Sequence, residues 1–281
     1  KVAGSNPAGR TTHIYDGMRS VAKARRETKR VDRRLARVAL PTAFRRAPGV
    51  ALGWIGRQDA AVLVTTFAVV LALFGFAKVA GEMLEGDTKA FDVWLLRILR
   101  RPDAAEIPIG PGWLTHAALD ISGLGGPTTL TLAILLVCGY LVLDRKYASM
   151  WLVAIAGASG GLLSTLLKLL FARERPDIVP HLTTATSLSF PSGHAMLAAV
   201  IYLTLGALLA RFAAQRRVRA YVLSVALLLT FLVGSSRVYL GVHYPTDVLG
   251  GWLAGLAWAL VCWLVARYLQ RRGTIEAPGP T

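Results

Sequence analysis

Long apolar runs, separated by short polar punctuation, dominate the chain. Six stand out, at about 60 to 80, 126 to 143, 148 to 171, 193 to 212, 219 to 235 and 247 to 268. Each is close to the roughly 20 residues a helix needs to cross the bilayer core, the second and fifth being the shortest. The pattern predicts an all-α polytopic membrane protein, a bundle of six transmembrane helices filling one domain over residues 58–272. Residues 1–57 lack such a run and read as a basic cytoplasmic tail, interfacial or disordered, and 273–281 as a short C-terminal tail. Small residues in the third span (Gly157, Ser159, Gly160, Gly161, Ser164) and the sixth (Gly250, Gly251, Gly255) predict close helix approach.

Between the first two spans lies a long polar-rich loop, about 82 to 125. Within it Phe91, Trp94, Leu95 and Ile98 recur at helical spacing among charged neighbours. That spacing predicts a helix lying at the membrane surface.

Composition agrees with the pattern. Of the 281 residues 54% are hydrophobic and only 17% charged, against about 25% charged in soluble domains. The net charge of +16 is concentrated in the N-terminal segment and a few short loops. An even number of spans puts both termini on one side, with Arg145, Lys146, Arg211, Arg216, Arg217, Arg219 and Arg267. The positive-inside rule makes that side the cytoplasm, in a bacterial-type inner (plasma) membrane. The basic residues flank spans and form no aromatic-interleaved patch, so anionic lipid headgroups, not nucleic acid, are the expected counter-charge of the tail. Cys138 and Cys262 both fall inside apolar runs and read as small buried hydrophobes. No apolar core of signal-peptide length follows the first charges.

Three polar clusters fall at span ends on the opposite, outer side. Lys168 lies near the end of the third span, and Arg175-Pro176 opens the loop that follows. Pro191-Ser192-Gly193-His194 leads into the fourth span. Here Ser192 is placed as an N-cap, and the free N–H groups near Gly193 make an anion cradle with an imidazole on its rim. Ser236-Arg237 and His243-Tyr244-Pro245-Thr246-Asp247 link the fifth span to the sixth. Pro245 sits where a helix could start, and Asp247 in the first turn is favoured as a carboxylate by the helix dipole. That carboxylate can accept the Nδ1 proton of His243 and leave Nε2 free for a substrate.

Lys-x6-Arg-Pro, Pro-Ser-Gly-His and Ser-Arg-x5-His-x3-Asp, in this order from Lys168 to Asp247, resemble the three signatures of the type 2 phosphatidic acid phosphatase superfamily. The superfamily also includes vanadium haloperoxidases and glucose-6-phosphatase. The resemblance implies that Lys168, Arg175 and Arg237 hold a phosphate, with Ser192 and the Gly193 amide binding its oxygens. It implies that His243 is the nucleophile, oriented by Asp247, and that His194 is the acid/base. Arg173 and His181 fall outside the motifs and are left without a role. No metal or cofactor is implied, because the cations themselves offset the phosphoryl charge.

The implied activity is that of an integral-membrane lipid phosphatase acting through a phosphohistidine. Its substrate class is a phosphomonoester or pyrophosphate lipid: phosphatidic acid, phosphatidylglycerol phosphate or polyprenyl pyrophosphate. A lipid phosphotransferase using the same phosphohistidine and a non-catalytic lipid transporter or scaffold are the alternatives. The former would phosphorylate an acceptor lipid where a hydrolase releases phosphate. A channel is disfavoured by charges that cluster at span ends, and a soluble haloperoxidase by the six spans.

Overall fold

The computed structural model describes residues 60–184 and 187–271; the expected tails, 1–57 and 273–281, lie outside the described residues. Eight helices account for nearly all of it. They are α1 (Ala60–Glu85), α2 (Lys89–Ile98), α3 (Gly112–Leu124), α4 (Pro127–Leu143), α5 (Tyr147–Phe171), α6 (Gly193–Phe212), α7 (Arg216–Tyr239) and α8 (Pro245–Arg271). Helices α1, α5, α6, α7 and α8 are each long and apolar enough to span a bilayer. The 17 residues of α4 rise only about 26 Å, short of a bilayer core; counted as one span with α3, across a 48° bend, they bring the candidate spans from five to six. The protein is thus a multi-pass membrane protein. Large apolar side chains such as Phe67, Phe74, Leu143 and Leu170 are exposed on its outside, as lipid contact requires.

The apolar runs locate the spans to within a few residues, and local chemistry sets their ends. Helix α8 opens on Pro245, a residue whose missing N–H costs nothing at a first helical position. Helix α5 closes through Ala172 at φ 46°, whose N–H caps the Lys168 carbonyl. Past α7 the chain reverses at Gly241, φ 75°. A β-carbon there would lie 2.6 Å from Arg100 Nη2 and 3.0 Å from the Pro180 carbonyl oxygen, so glycine alone fits.

Helix α6 is the most enclosed, packed among α5, α7 and α8. A core of Leu130, Ala156, Val200 and Ile201 joins it to α4 and α5, with Trp258 and Cys262 of α8 against it. Small residues bring the backbones together as expected. A β-carbon on Gly255 would sit 2.5 Å from the Met196 carbonyl oxygen, and one on Gly251 2.7 Å from that of Ser192. At the end of the bundle that carries the motifs, Phe190 is wholly buried. It stacks on Phe76 of α1 at 5.7 Å and meets Phe171 of α5 edge-on at 4.9 Å.

The segment between the first two spans has more structure than the sequence indicates. Its amphipathic helix is present as α2, with Phe91, Trp94 and Ile98 exposed along one face. Leu95 departs from that face and packs with Leu96 against Ala195, Val238 and Val248. A short antiparallel pair follows, β1 (Arg100–Arg101) and β2 (Ala104–Pro108), an element the apolar pattern does not signal. Then α3 packs against α7 and reaches the α3–α4 bend at Gly125 and Gly126.

Candidate active site

The motif residues occupy the ends of four helices and the strand-free loops between them. Lys168 is in the last turn of α5, Gly193 and His194 open α6, Arg237 is in the last turn of α7, and Asp247 is in the first turn of α8. Main-chain hydrogen bonds fix these ends to one another. Ser192 N–H donates to the Asp247 carbonyl at 2.9 Å, and Ser189 N–H to the Arg173 carbonyl at 2.8 Å. Lys168, Arg175, Arg237 and His243 all act electrostatically on His194, so the three motifs, far apart in sequence, form one polar cluster.

His243 is 1% exposed, in the loop between α7 and α8. Arg175 Nη1 lies 3.2 Å from its Nε2. A guanidinium can only donate, so Nε2 is the acceptor and the ring proton is on Nδ1. On that side Asp247 Oδ2 is 3.5 Å away, too long for a direct hydrogen bond, and Ser189 Oγ is at 3.3 Å. Ser189 donates to the same Oδ2, which also accepts the Tyr244 N–H at 2.9 Å. The carboxylate thus reaches the imidazole by hydrogen bonds through a serine, with its own oxygen only in charge contact, an arrangement the His-x3-Asp spacing does not reveal. Burial pushes the His243 imidazole down to about 4, although the nearby Asp247 carboxylate opposes it. The ring is neutral at physiological pH.

The cations face inward with main-chain oxygens as partners. Arg175 donates from Nε to the Ser187 carbonyl and from Nη1 to the Val242 carbonyl, each at 2.6 Å, and Lys168 donates to the Leu188 carbonyl. Arg237 Nη1 donates to Ser122 Oγ at 2.6 Å, while its buried Nε has no partner. Ser192 occupies the N-cap position of α6, but its hydroxyl makes no cap bond. Fully buried, it is among the few described buried side-chain atoms without a partner. The expected capping serine is therefore an unengaged donor beside the Gly193 amide. His194 and Gly193 line a cavity of about 460 Å³ with Lys168, Ser164, Leu197 and the α3–α4 bend. Phosphate-sized ligands fit this volume.

Four further residues belong to the cluster. Arg173 donates to Asp247 Oδ1 at 2.6 Å and to Asp92 Oδ2 at 2.8 Å, and its guanidinium lies 4.2 Å from the Tyr244 ring centroid. Asp92 is 0% exposed. Ser189 and Ser122 bring hydroxyls to Asp247 and Arg237. Asp92 is visible in the sequence only as a charged residue of an amphipathic helix, as a solvated carboxylate would be. Nothing comparable marks Ser122 or Ser189, ordinary residues placed by tertiary structure. His181 lies apart, its Nε2 2.6 Å from the Pro176 carbonyl oxygen. Among the described residues no three His, Cys, Asp or Glu side chains converge as a metal site.

Comparison with known proteins matches the same part of the chain. The family model described as PAP2 superfamily matches residues 148–271. Phosphatidylglycerophosphatase B of Bacillus subtilis is 36% identical over 155 residues, covering 54% of this chain and 75% of that protein. Decaprenylphosphoryl-5-phosphoribose phosphatase of Mycobacterium tuberculosis is 37% identical over 122 residues, 42% of this chain and 62% of that one. The crystal structure of a transmembrane PAP2 type phosphatidylglycerolphosphate phosphatase from Bacillus subtilis superposes with a TM-score of 0.65 at 29% identity. It covers 73% of this chain and 98% of that one. With the motif cluster, the helical fold and these relatives in agreement, the chain belongs to the PAP2 superfamily and is a membrane-spanning phosphatase, a hydrolase of phosphoric esters.

Proposed function

We propose that the chain hydrolyses the phosphate of a membrane lipid through a phosphohistidine on His243. The observation that carries this reading is the tautomer: Arg175 holds Nε2 as an acceptor while Asp247 and Ser189 face Nδ1. A neutral imidazole with a lone pair on Nε2 and a carboxylate behind it can attack phosphorus and carry the positive charge that develops. Lys168, Arg175 and Arg237 take the equatorial oxygens, the first two exchanging their main-chain carbonyl partners for the substrate. The Ser192 hydroxyl and Gly193 amide complete the cradle. His194, on the cavity wall, protonates the leaving oxygen and then activates water to free His243.

Lipid substrates are supported by the names of the relatives, which act on phosphatidylglycerophosphate and on a decaprenyl-linked phosphoribose phosphate. The cavity between α5, α6 and the α3–α4 bend is walled by Leu169 and Leu197 beside Lys168 and His194, so an apolar chain and an anionic head find their surfaces together. The substrates considered are phosphatidic acid, phosphatidylglycerol phosphate and polyprenyl pyrophosphate. Charge asymmetry of the loops supports an outer-face site with cytoplasmic termini, the basic tail resting on anionic lipid.

Rapid-quench labelling with ³²P-labelled substrate tests the proposal. Acid-labile phosphoenzyme forms in the wild type, is absent in His243→Ala and accumulates in His194→Ala with a leaving group that needs no proton. Undiminished label in His243→Ala refutes the assignment.

A further inference from the structure

Asp92 is the buried charge that the reaction scheme above leaves unused, and it lies one residue from a lipid-facing phenylalanine. Its carboxylate is fully buried on the inward face of α2, opposite the exposed Phe91, Trp94 and Ile98. A lone carboxylate in that position is costly without compensation. Arg173 supplies it, donating from Nη2 to Asp92 Oδ2 at 2.8 Å and from Nη1 to Asp247 Oδ1 at 2.6 Å. Asp92 also takes two donors from the start of α8, the Thr246 N–H at 3.1 Å on Oδ1 and the Thr246 hydroxyl at 2.6 Å on Oδ2. An acid there favours the helix N-terminus and fixes the residue next to Asp247. Arg173 Nη1 reaches the same hydroxyl at 2.9 Å.

We propose that Arg173 and Asp92 are positioning residues, which with Asp247 form a buried line of alternating charge that sets the basicity of His243. Both oxygens of Asp247 are committed, Oδ1 to Arg173 and Oδ2 to the Ser189, Tyr244 and His243 side. Arg173 offsets the charge with which Asp247 would otherwise favour the imidazolium. Asp92 in turn offsets part of Arg173, so that Asp247 keeps enough charge to hold the ring. The balance maintains a neutral, oriented nucleophile that still gains support once it becomes positively charged. Arg173 consequently stays out of the phosphate cradle, although it precedes Arg175 by only two residues.

Opposite signs make this testable. Removing Arg173 strengthens the pull of Asp247 on the imidazolium, and removing the charge of Asp92 weakens it. The other charged or titratable groups facing His243 are Arg175 after α5, Lys168 on α5, His194 on α6, Arg237 on α7 and Tyr244 beside it. None of these is altered in the variants. Full-length protein in detergent, labelled with ¹⁵N-histidine, reads the His243 titration directly, the resonance assigned by its loss in His243→Ala. Arg173→Gln is expected to raise the midpoint by about one pH unit and Asp92→Asn to lower it by about half a unit, as a charge one carboxylate further away should. Arg173→Lys should stay near the wild type, and the double variant Asp92→Asn with Arg173→Gln should fall between the single ones. Retained binding of inorganic vanadate and a single size-exclusion peak establish that each variant is folded.

Midpoints that move in the same direction, or do not move in folded protein, overturn the proposal. The inference rests on His243 as the attacking group for its catalytic meaning, but the titration does not involve turnover. Failure of the phosphoenzyme assignment and failure of the charge line are therefore separately visible.

Discussion

Gly251 offers a sharp test of how helix packing reaches the chemistry. A β-carbon at this position would lie 2.7 Å from the Ser192 carbonyl oxygen, 3.0 Å from Ala195 Cβ and 3.2 Å from the Met196 nitrogen. Two of the three neighbours are backbone, so no rotamer change relieves the overlap. Reaching an ordinary contact of 3.4 Å parts α6 from α8 by about 0.7 Å (3.4 − 2.7) near their N-terminal ends. Overpacking of this kind costs roughly 1–3 kcal/mol, and alanine in a helix returns up to about 1 kcal/mol relative to glycine. The net loss of stability is small, a Tm decrease of about 5 °C or less. Catalysis suffers more, because the displaced carbonyl belongs to Ser192, whose N–H is bonded to the Asp247 carbonyl at 2.9 Å. Moving one strand of that link separates the cradle from the His243–Asp247 pair. Misplacements near 1 Å cost about 10²-fold, so kcat should fall roughly 10- to 10²-fold. Phosphate release from dispersed lipid substrate, measured alongside the thermal unfolding of the same detergent preparation, gives both numbers. Gly139→Ala, with nothing within 4 Å of its β-carbon, is the control expected to leave turnover unchanged and to keep or slightly raise Tm. Full turnover in Gly251→Ala at an unchanged Tm refutes the packing argument.

Other outcomes follow from the same geometry. Because Lys168, Arg175 and Arg237 are assigned the phosphoryl charge, turnover should persist in EDTA and vanadate should compete with substrate; loss in chelator restored by one divalent ion contradicts this. Burial holds His243 at about 4, below its ordinary 6.5, so the unfolded chain binds the extra proton first and stability should decline as pH falls from 6.5 toward 4. His243→Gln should flatten that decline in thermal melts, and an equal decline in the variant rules out His243 as its source. Ser122→Ala removes the partner 2.6 Å from Arg237 Nη1 and should raise KM several-fold with little change in kcat, as loss of ground-state positioning does. With Cys138 and Cys262 replaced, a cysteine at exposed Thr184 should react with an impermeant thiol reagent on intact cells and one at exposed Gln215 should not; the reverse pattern inverts the topology.

The spans were legible because burial in a bilayer demands length and apolarity, both written directly in the residues. The same holds for Pro245 at the head of α8 and the small residues where α6 meets α8. The motifs were legible as spacing, and the structure brings all of their ionisable members into one cluster. What spacing could not give is the company each side chain keeps. Ser192 reads as a cap, yet only its carbonyl takes part in the helix start, accepting the first helical bond from Met196 N–H, and its hydroxyl has no partner. Asp247 reads as a direct partner of His243, yet its nearest acceptor work is for Ser189 and Arg173. Helix α2 reads as a lipid-facing surface element, and its other face turns out to supply Asp92. One amphipathic pattern records only where apolar residues go, and cannot distinguish a solvated carboxylate from one paired across 81 residues of chain.

The cluster sits at helix ends for a physical reason. Within a bilayer core every backbone group must be bonded inside its own helix and an unpaired charge is costly, so polar groups can gather only where helices stop. The ends of α5 and α7 and the starts of α6 and α8 meet at one end of the bundle, and each contributes one ionisable side chain. Counting the buried or half-buried members, Lys168, Arg173, Arg175 and Arg237 stand against Asp92 and Asp247, an excess of two positive charges with His243 neutral. In the resting protein Lys168 and Arg175 spend their donors on the carbonyls of Ser187, Leu188 and Val242, neutral oxygens that satisfy hydrogen bonds without cancelling charge. A phosphomonoester dianion cancels that charge and offers better acceptors for the same donors. On the proposed reading, substrate binding is therefore an exchange of carbonyl for phosphoryl oxygens at preformed cations. The Asp92–Arg173–Asp247 line remains intact through it, because its donors and acceptors are already committed to one another.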